Sequence, residues 1–207
     1  MYKRFVKRLL DVFVSLILIL VLLPVLFIIA GFIWITMKEN PFFTQERPGK
    51  DETPFKLIKF KTMKTSSDSA GNLLPDEQRI TKLGAVMRKY SLDEFPELLN
   101  VLVGEMSFVG PRPLLMQYLP YYSILERERH SVRPGMTGLA QVSGRNFLDW
   151  DKRLSMDVEY VKNISFIMDA KIIGKTMLYV LMAKDVAVNP DEHEAYLDEI
   201  RSGKTNR

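Results

Sequence analysis

From Val12 to Ile35 the chain is apolar, interrupted only by Ser15, Pro24 and Gly31. These 24 positions make roughly 36 Å of helix at ~1.5 Å per residue, enough for a hydrocarbon core of ~30 Å. A secretory signal peptide has a shorter apolar region and an A-x-A-like cleavage site, which this run lacks. The run therefore reads as a membrane segment. Pro24, at its middle, removes one helical hydrogen bond and pushes a kink, leaving limbs of about 18 Å that each pass a single leaflet. Lys3, Arg4, Lys7 and Arg8 precede the run, and Lys38, Arg47, Lys50 and Lys56 follow it. Positive charge at both ends gives no preferred orientation, and the tie resolves if both ends stay on the cytoplasmic face. The favoured reading is a re-entrant helix–break–helix dipping into one leaflet; a kinked spanning helix is the alternative.

Asn40-Pro41 ends this helix, because the residue before proline resists helical geometry. Phe42 to Gln45 reads as a short strand and Arg47-Pro48-Gly49 as a turn. Phe55 to Met63 reads as a half-buried strand, with Phe55, Leu57 and Phe60 apolar and Lys56, Lys59 and Lys61 interleaved. Thr65 to Pro75 is a polar loop. Helices are expected over Asp76 to Tyr90, Glu94 to Leu102, Leu114 to Arg129 with a break at Pro120, Trp150 to Lys162, and Ile167 to Ala183. Gly104 to Pro113 reads as loop, and Arg133 to Arg145 as a connector holding Gly135, Gly138 and Gly144. The last helix sets Ile172, Ile173, Met177, Val180 and Leu181 against Lys171, Lys175 and Lys184, a face for the core or the membrane surface. The expected fold class is α+β: an N-terminal proline-broken re-entrant membrane helix (1–38), then a small, mostly helical catalytic domain with a short β-sheet or hairpin (39–188). A polar, loosely ordered tail (189–207) follows.

The chain has 207 residues and a formal charge of +4, with the basic residues scattered. Nucleic-acid binding would need them gathered on one element, so a membrane surface or a phosphorylated substrate fits better. With no cysteine, disulfides, thiol nucleophiles and Cys-ligated zinc are excluded. His130 and His193 stand alone, without metal-ligand spacing. No P-loop or G-x-G-x-x-G is present, which leaves ordinary ATP and dinucleotide sites without support.

The stretch richest in chemistry is Ser91-Leu92-Asp93-Glu94-Phe95-Pro96-Glu97. Ser91 and Glu94 have capping-box spacing, but that register makes Pro96 the fifth helical residue, where a donor is normally needed. With Asp93 as N-cap, Pro96 falls in the first turn and two adjacent carboxylates stand at a positive helix end, where Asp93 would stay ionised. Such a carboxylate can cap a helix, hold a hard divalent cation or attack phosphorus. Lys59, Arg88 and Arg112 are candidate phosphate clamps around it. Arg112 is fixed between Pro111 and Pro113 after Gly110, so it loses little entropy on holding an oxyanion, although a rigid surface turn explains the pattern equally. Gly144-Arg145 is a weaker candidate of the same kind.

Together these segments resemble the bacterial sugar transferases known as monotopic phosphoglycosyl transferases, from about Lys3 to Asp169. The landmarks are Lys7-Arg8-Leu9-Leu10-Asp11, Pro24, Phe43-Thr44-Gln45-Glu46-Arg47-Pro48-Gly49 and Phe60-Lys61-Thr62-Met63. They continue with Ser91-Leu92-Asp93-Glu94, Asn100-Val101-Leu102, Met106 to Pro113 and Arg133-Pro134-Gly135-Met136-Thr137-Gly138. The resemblance implies a UDP-sugar donor, Mg²⁺ held at Asp93 and Glu94, and attack by Asp93 on the phosphorus bonded to the sugar. UMP then leaves, and undecaprenyl phosphate takes the phosphosugar from the aspartate. It implies that Lys59, Arg88, Arg112 and Arg145 neutralise the diphosphate, with Glu105, Pro111 and Asp157 as supporting positions. It further implies residence in the bacterial inner membrane among its lipids, with the catalytic domain on the cytoplasmic face and downstream glycosyltransferases as partners. By nearness to the small, single-domain members, the expected sugar is N,N′-diacetylbacillosamine or another N-acetylhexosamine. One departure is Leu23, which stands before Pro24 where the family often has a small polar residue.

Overall fold

The computed structural model describes residues 2–68, 71–144, 148–182 and 196–203. A short π-helical turn, Tyr2–Val6, leads into α1 (Lys7–Met37), which continues through Pro24 as one element. The expected break into two helical segments is thus absent from the secondary structure. Proline removes one donor, and apolar residues on both sides, in a medium with no water to bond the backbone, favour resumption of the helix at once.

Most of α1 is bare: Leu20, Val21, Phe27, Trp34 and Ile35 are all more than 60% exposed. Its buried residues are Asp11 and Ser15 toward one end and Ile33 and Met37 at the other. At the first end, Lys7 Nζ lies 2.7 Å from Asp169 Oδ2, and Asp11 Oδ1 accepts from the Phe108 N–H at 3.2 Å. Arg8 donates to the carbonyls of Val101 (2.6 Å) and Leu102 (2.8 Å). At the second end, Ile33 and Met37 pack with Phe60 and Met87, and Leu92 lies against this cluster.

β1 (Phe42–Pro48) and β2 (Pro54–Phe60) form an antiparallel hairpin, with Phe42 opposite Phe60 and Phe43 opposite Lys59. β1 runs three residues past the expected Gln45, β2 ends at Phe60, short of the expected Met63, and the turn falls beyond Pro48. The single helix expected over Asp76 to Tyr90 is two, α2 (Asp76–Arg79) and α3 (Lys82–Lys89). Ile80 is extended and bridges Met63, and the Thr81 hydroxyl caps α3 by accepting from the Gly84 N–H at 2.9 Å.

α4 (Glu97–Val103) ends at Gly104, whose φ of 97° is a left-handed C-terminal cap. The loop and connector that follow hide strands: β3 (Ser107–Val109) pairs in parallel with β4 (Gly135–Thr137). Between them the expected long helix is a series of pieces: 3-10 turns at Met116–Tyr121 and Glu128–Ser131 flank α5 (Ile124–Arg127), which restarts at a Ser123–Glu126 capping box. α6 (Leu139–Ser143), α7 (Trp150–Lys162) and α8 (Phe166–Met182) follow. Within α8 Asp169 and Ile172 are buried, whereas Phe166, Ile167, Met177, Leu181 and Met182 are exposed.

The tail is not wholly loose. α9 (Leu197–Ser202) inserts Leu197, 0% exposed, among Tyr118, Tyr122, Trp150 and Leu154. Arg201 ties it down through Glu126 and Asp151, each at 2.7 Å. Polarity there masks one well-placed leucine and one bidentate arginine.

Candidate active site

Alternation along β2 turns Lys59 inward. Phe55, Leu57 and Lys59 share one face of the strand, and Phe55 and Leu57 pack on Val101 of α4 and on Met106. The Lys59 ammonium thus arrives beside the start of α4. There it meets Glu94 Oε1 at 2.7 Å and Glu97 Oε1 at 3.2 Å.

The acidic turn differs from the register expected for it. Ser91, not Asp93, flanks the turn, with a left-handed φ of 55° and no side-chain cap. Its N–H bonds to the Arg88 carbonyl at 3.1 Å, closing α3, and its own carbonyl accepts from the Glu94 N–H at 3.2 Å. Leu92–Glu94 forms a 3-10 turn, and α4 begins only at Glu97, with Pro96 just before it. Proline at this boundary lacks a donor that no helix bond there requires. Leu92, on the foot of α1, and Asp93 and Glu94, beside Lys59, are consecutive. The turn therefore joins the apolar helix to the charged site.

Arg112 comes from the opposite side. Its Nη2 donates to the same Glu94 Oε1 at 2.7 Å, so one carboxylate oxygen receives two cations. The loop carrying Arg112 rests backbone to backbone on β4. The Gly110 N–H bonds to Thr137 O and the Gly135 N–H to Pro111 O, each at 2.9 Å, and a Cβ on Gly135 or Gly138 would collide with Gly110. Only glycine permits that approach. Pro111 therefore belongs to the support of the site, its carbonyl pinned and its ring buried.

Three carboxylates crowd together here: Asp93, Glu94 and Glu97 face the cations Lys59 and Arg112, and the field of Glu97 also reaches the half-buried Arg47. Burial alone would raise the Glu94 carboxyl, but Arg112 and Lys59 hold it well below the usual carboxylate range. Glu97 is pushed up to about 7 by burial and by its neighbour Glu94. Asp93 is also raised, by burial first and Glu94 second, in contrast to the stabilised anion expected from a helix N-terminus. Among the described residues no other side chain bonds to the Asp93 carboxylate.

Of the other expected residues, Arg88 adjoins the turn through its carbonyl, but its guanidinium bonds to the Thr62 hydroxyl at 3.1 Å and lies 2.8 Å from Met63 Sδ. Glu105 is a scaffold group: it accepts from Asn100 Nδ2 at 2.6 Å, and Asn100 in turn binds the Lys56 carbonyl and the Ile58 N–H of β2. Asp157 pairs with Arg129 away from the acidic turn, at 2.8 Å. Arg145 lies outside the described residues, and Pro24 sits within α1. Glu97 and Arg129 were missed. Glu97 stands in the acidic stretch itself, where an inward helix position beside Pro96 was a usable signal; nothing local marks Arg129.

A short acidic turn gripped by a strand lysine and a loop arginine, at the foot of a long apolar helix, is an arrangement for handling phosphate at a membrane. The chain belongs to the bacterial sugar transferase family, whose model matches residues 2–183. It is 46% identical over 180 residues to the uncharacterized sugar transferase EpsL of Bacillus subtilis, covering 87% of this chain and 89% of that one. It is 34% identical over 195 residues to the exopolysaccharide production protein ExoY of Sinorhizobium fredii, covering 86% of each. The UDP-glucose:undecaprenyl-phosphate glucose-1-phosphate transferase of Klebsiella pneumoniae is 38% identical over 181 residues, which are 83% of this chain but 39% of that protein.

Proposed function

We propose that this sugar transferase moves a sugar 1-phosphate from a UDP-sugar to undecaprenyl phosphate, releasing UMP. The observation that carries this reading is the acidic turn: Asp93, whose carboxylate takes no side-chain hydrogen bond among the described residues, beside Glu94, with Lys59 and Arg112 both on Glu94 Oε1 at 2.7 Å. Phosphoryl transfer needs charge neutralisation and alignment more than acid–base groups.

In the first step an Asp93 carboxylate oxygen attacks the phosphorus bonded to the sugar. The bond from that phosphorus to the UMP oxygen breaks, and UMP carries the electron pair away. In the second step an oxygen of undecaprenyl phosphate attacks the same phosphorus. The aspartyl bond breaks, the carboxylate is restored, and the product is an undecaprenyl diphosphate sugar. Lys59 and Arg112 hold the non-bridging oxygens as charge moves through them, and Arg88 and Arg145 are further cations for the diphosphate.

Among the described residues no group of three or more histidine, aspartate and glutamate side chains gathers to hold a metal. Mg²⁺ takes one or two carboxylates and fills its shell with water and substrate phosphates. Asp93 and Glu94 would hold it, and when bound it would neutralise the donor diphosphate and the carboxylate excess. A cation bound there would favour the ionised form of Asp93, which burial and Glu94 otherwise disfavour.

Support for both ends of α1 lying on one side of the membrane comes from its docking. Lys7, Arg8 and Asp11 bond to the same domain that Ile33 and Met37 pack against. A straight crossing would carry one of those ends away from its partners. This favours the re-entrant reading with Pro24 bending α1 rather than breaking it, in the inner membrane with the catalytic domain on the cytoplasmic face, supplying downstream glycosyltransferases. The exposed apolar residues of α8 suit the lipid surface beside it.

The donor is a UDP-hexose or UDP-N-acetylhexosamine, with N,N′-diacetylbacillosamine and the glucose named in the Klebsiella relative both in the range to test. The experiment is a panel of UDP-sugars with purified protein, undecaprenyl phosphate and Mg²⁺. One donor is expected to give UMP and a lipid diphosphate sugar. Release of UDP would instead indicate an ordinary glycosyltransferase, and no turnover with any donor would favour a scaffold.

A further inference from the structure

Arg129 and Asp157 form a second charged group, deeper than the first, with side chains 1% and 4% exposed. Arg129 Nε and Nη2 donate to Asp157 Oδ2 at 3.0 and 2.8 Å. The same Nη2 donates to the main-chain carbonyl of Arg112 at 2.7 Å. Nη1 lies 3.3 Å from His130 Nε2, and the guanidinium is 5.7 Å from the centre of the Tyr122 ring.

A buried ion pair is a poor way to gain stability, since apolar residues of similar volume often do as well. They cannot, however, donate to a carbonyl. Arg112 stands between two prolines, so its neighbours' φ angles are locked, and Pro113 restricts Arg112 itself to extended geometry. The remaining freedom of the loop lies in where its carbonyls point. Pro111 O is taken by the Gly135 N–H, Arg112 O by Arg129, and Pro113 O lies 3.5 Å from Arg47 Nη1. Fixing the Arg112 carbonyl fixes the direction in which its side chain leaves the loop, toward Glu94.

We propose that Arg129 is a positioning residue for the transfer reaction: it clamps the Arg112 backbone so that the Arg112 guanidinium faces Glu94 and the phosphate, and Asp157 is the counter-charge that keeps it there. This rests on the phosphate-binding role given to Arg112 above.

The test is a double-mutant cycle in the full-length protein, with UMP release measured at varied UDP-sugar and each variant's fold checked by thermal unfolding. Arg112→Met should lower kcat by about 10²- to 10³-fold. Arg129→Lys keeps the charge but not the planar fork, and should lower kcat by about 10- to 100-fold with little change in KM. In the Arg112→Met background Arg129→Lys should cost no more than about 3-fold, because what it positions is gone. Asp157→Asn, which leaves Arg129 in place, should follow the same pattern and serves if Arg129→Lys does not fold. Losses that multiply would overturn the proposal and leave only a structural pair, as would wild-type rates for Arg129→Lys. Wild-type rates for Arg112→Met would instead remove the reading on which the proposal rests.

Discussion

Two buried charge groups meet at Arg112, and they are built on opposite terms. Around Arg129 one cation faces one carboxylate, both almost fully enclosed, with the guanidinium's bonds directed into the scaffold. Around Lys59 three carboxylates face two cations, Arg112 is 42% exposed at its side chain, and Asp93 has no side-chain hydrogen bond among the described residues. The first group is neutral and closed. In the second, burial first and the neighbouring Glu94 carboxylate second lift Glu97 to about 7 and Asp93 above the ordinary range, with the carboxylates held together by the fold around them. Balanced buried charge fixes geometry, whereas unbalanced charge leaves capacity for a cation or a reacting group.

The largest effect is expected from Asp93→Asn, which keeps shape and removes the nucleophile: turnover should fall by at least about 10⁴-fold in a UMP-release assay, with the thermal midpoint little changed. Next is the closed group. Asp157→Ala strands a buried guanidinium and should cost about 3 to 5 kcal/mol in chemical denaturation. Lys59→Met removes a phosphate-facing cation and should lower kcat by about 10²- to 10³-fold, while relieving Glu94 of one of its two partners.

The charge excess itself is tested by Glu97→Gln. Because the folded-state value of Glu97, about 7, lies above the ordinary carboxylate value, its contribution to stability is complete below the ordinary value and is lost as pH rises through about 7. The Gln variant lacks this dependence. It should match wild type near pH 4 and exceed it by about 2 to 3 kcal/mol at pH 8 in denaturation at both pH values. If wild type is equally stable at both, the charges are not in conflict. The smallest effect is expected from Ser91→Gly, which relieves the left-handed φ of 55° and should stabilise by up to about 1 kcal/mol, read as a modest rise in Tm.

What was legible in the sequence was mostly local. The helix expected over Trp150 to Lys162 matches α7 at both ends, and Asp149 caps it through the Lys152 N–H at 2.6 Å. Of the cations expected around Asp93 and Glu94, Lys59 and Arg112 do meet Glu94, whereas the Arg88 guanidinium turns to Thr62 and Met63. Long-range pairing was not legible. β3 and β4 are three residues each, parallel and separated by α5, so neither carries a period long enough to read. The Asp93 register failed because Ser91 adopts a conformation that non-glycine residues rarely take, and nothing in the local pattern signals it. Lys7 and Arg8, read only as part of the positive charge flanking the membrane run, are bound to Asp169 and to the carbonyls at the end of α4. Arg129 is a basic residue in a polar stretch; only its distant partners reveal it.

The central claim is that Asp93 becomes bonded to phosphorus. Intact-mass measurement of the protein incubated with its UDP-sugar and Mg²⁺, with undecaprenyl phosphate withheld, tests this most directly. The wild-type chain should gain the mass of one sugar phosphate, located at Asp93 by fragmentation and discharged when the lipid phosphate is added, and Asp93→Asn should gain nothing. A wild-type chain that turns over donor yet never gains that mass, or gains it equally in Asp93→Asn, would contradict the account.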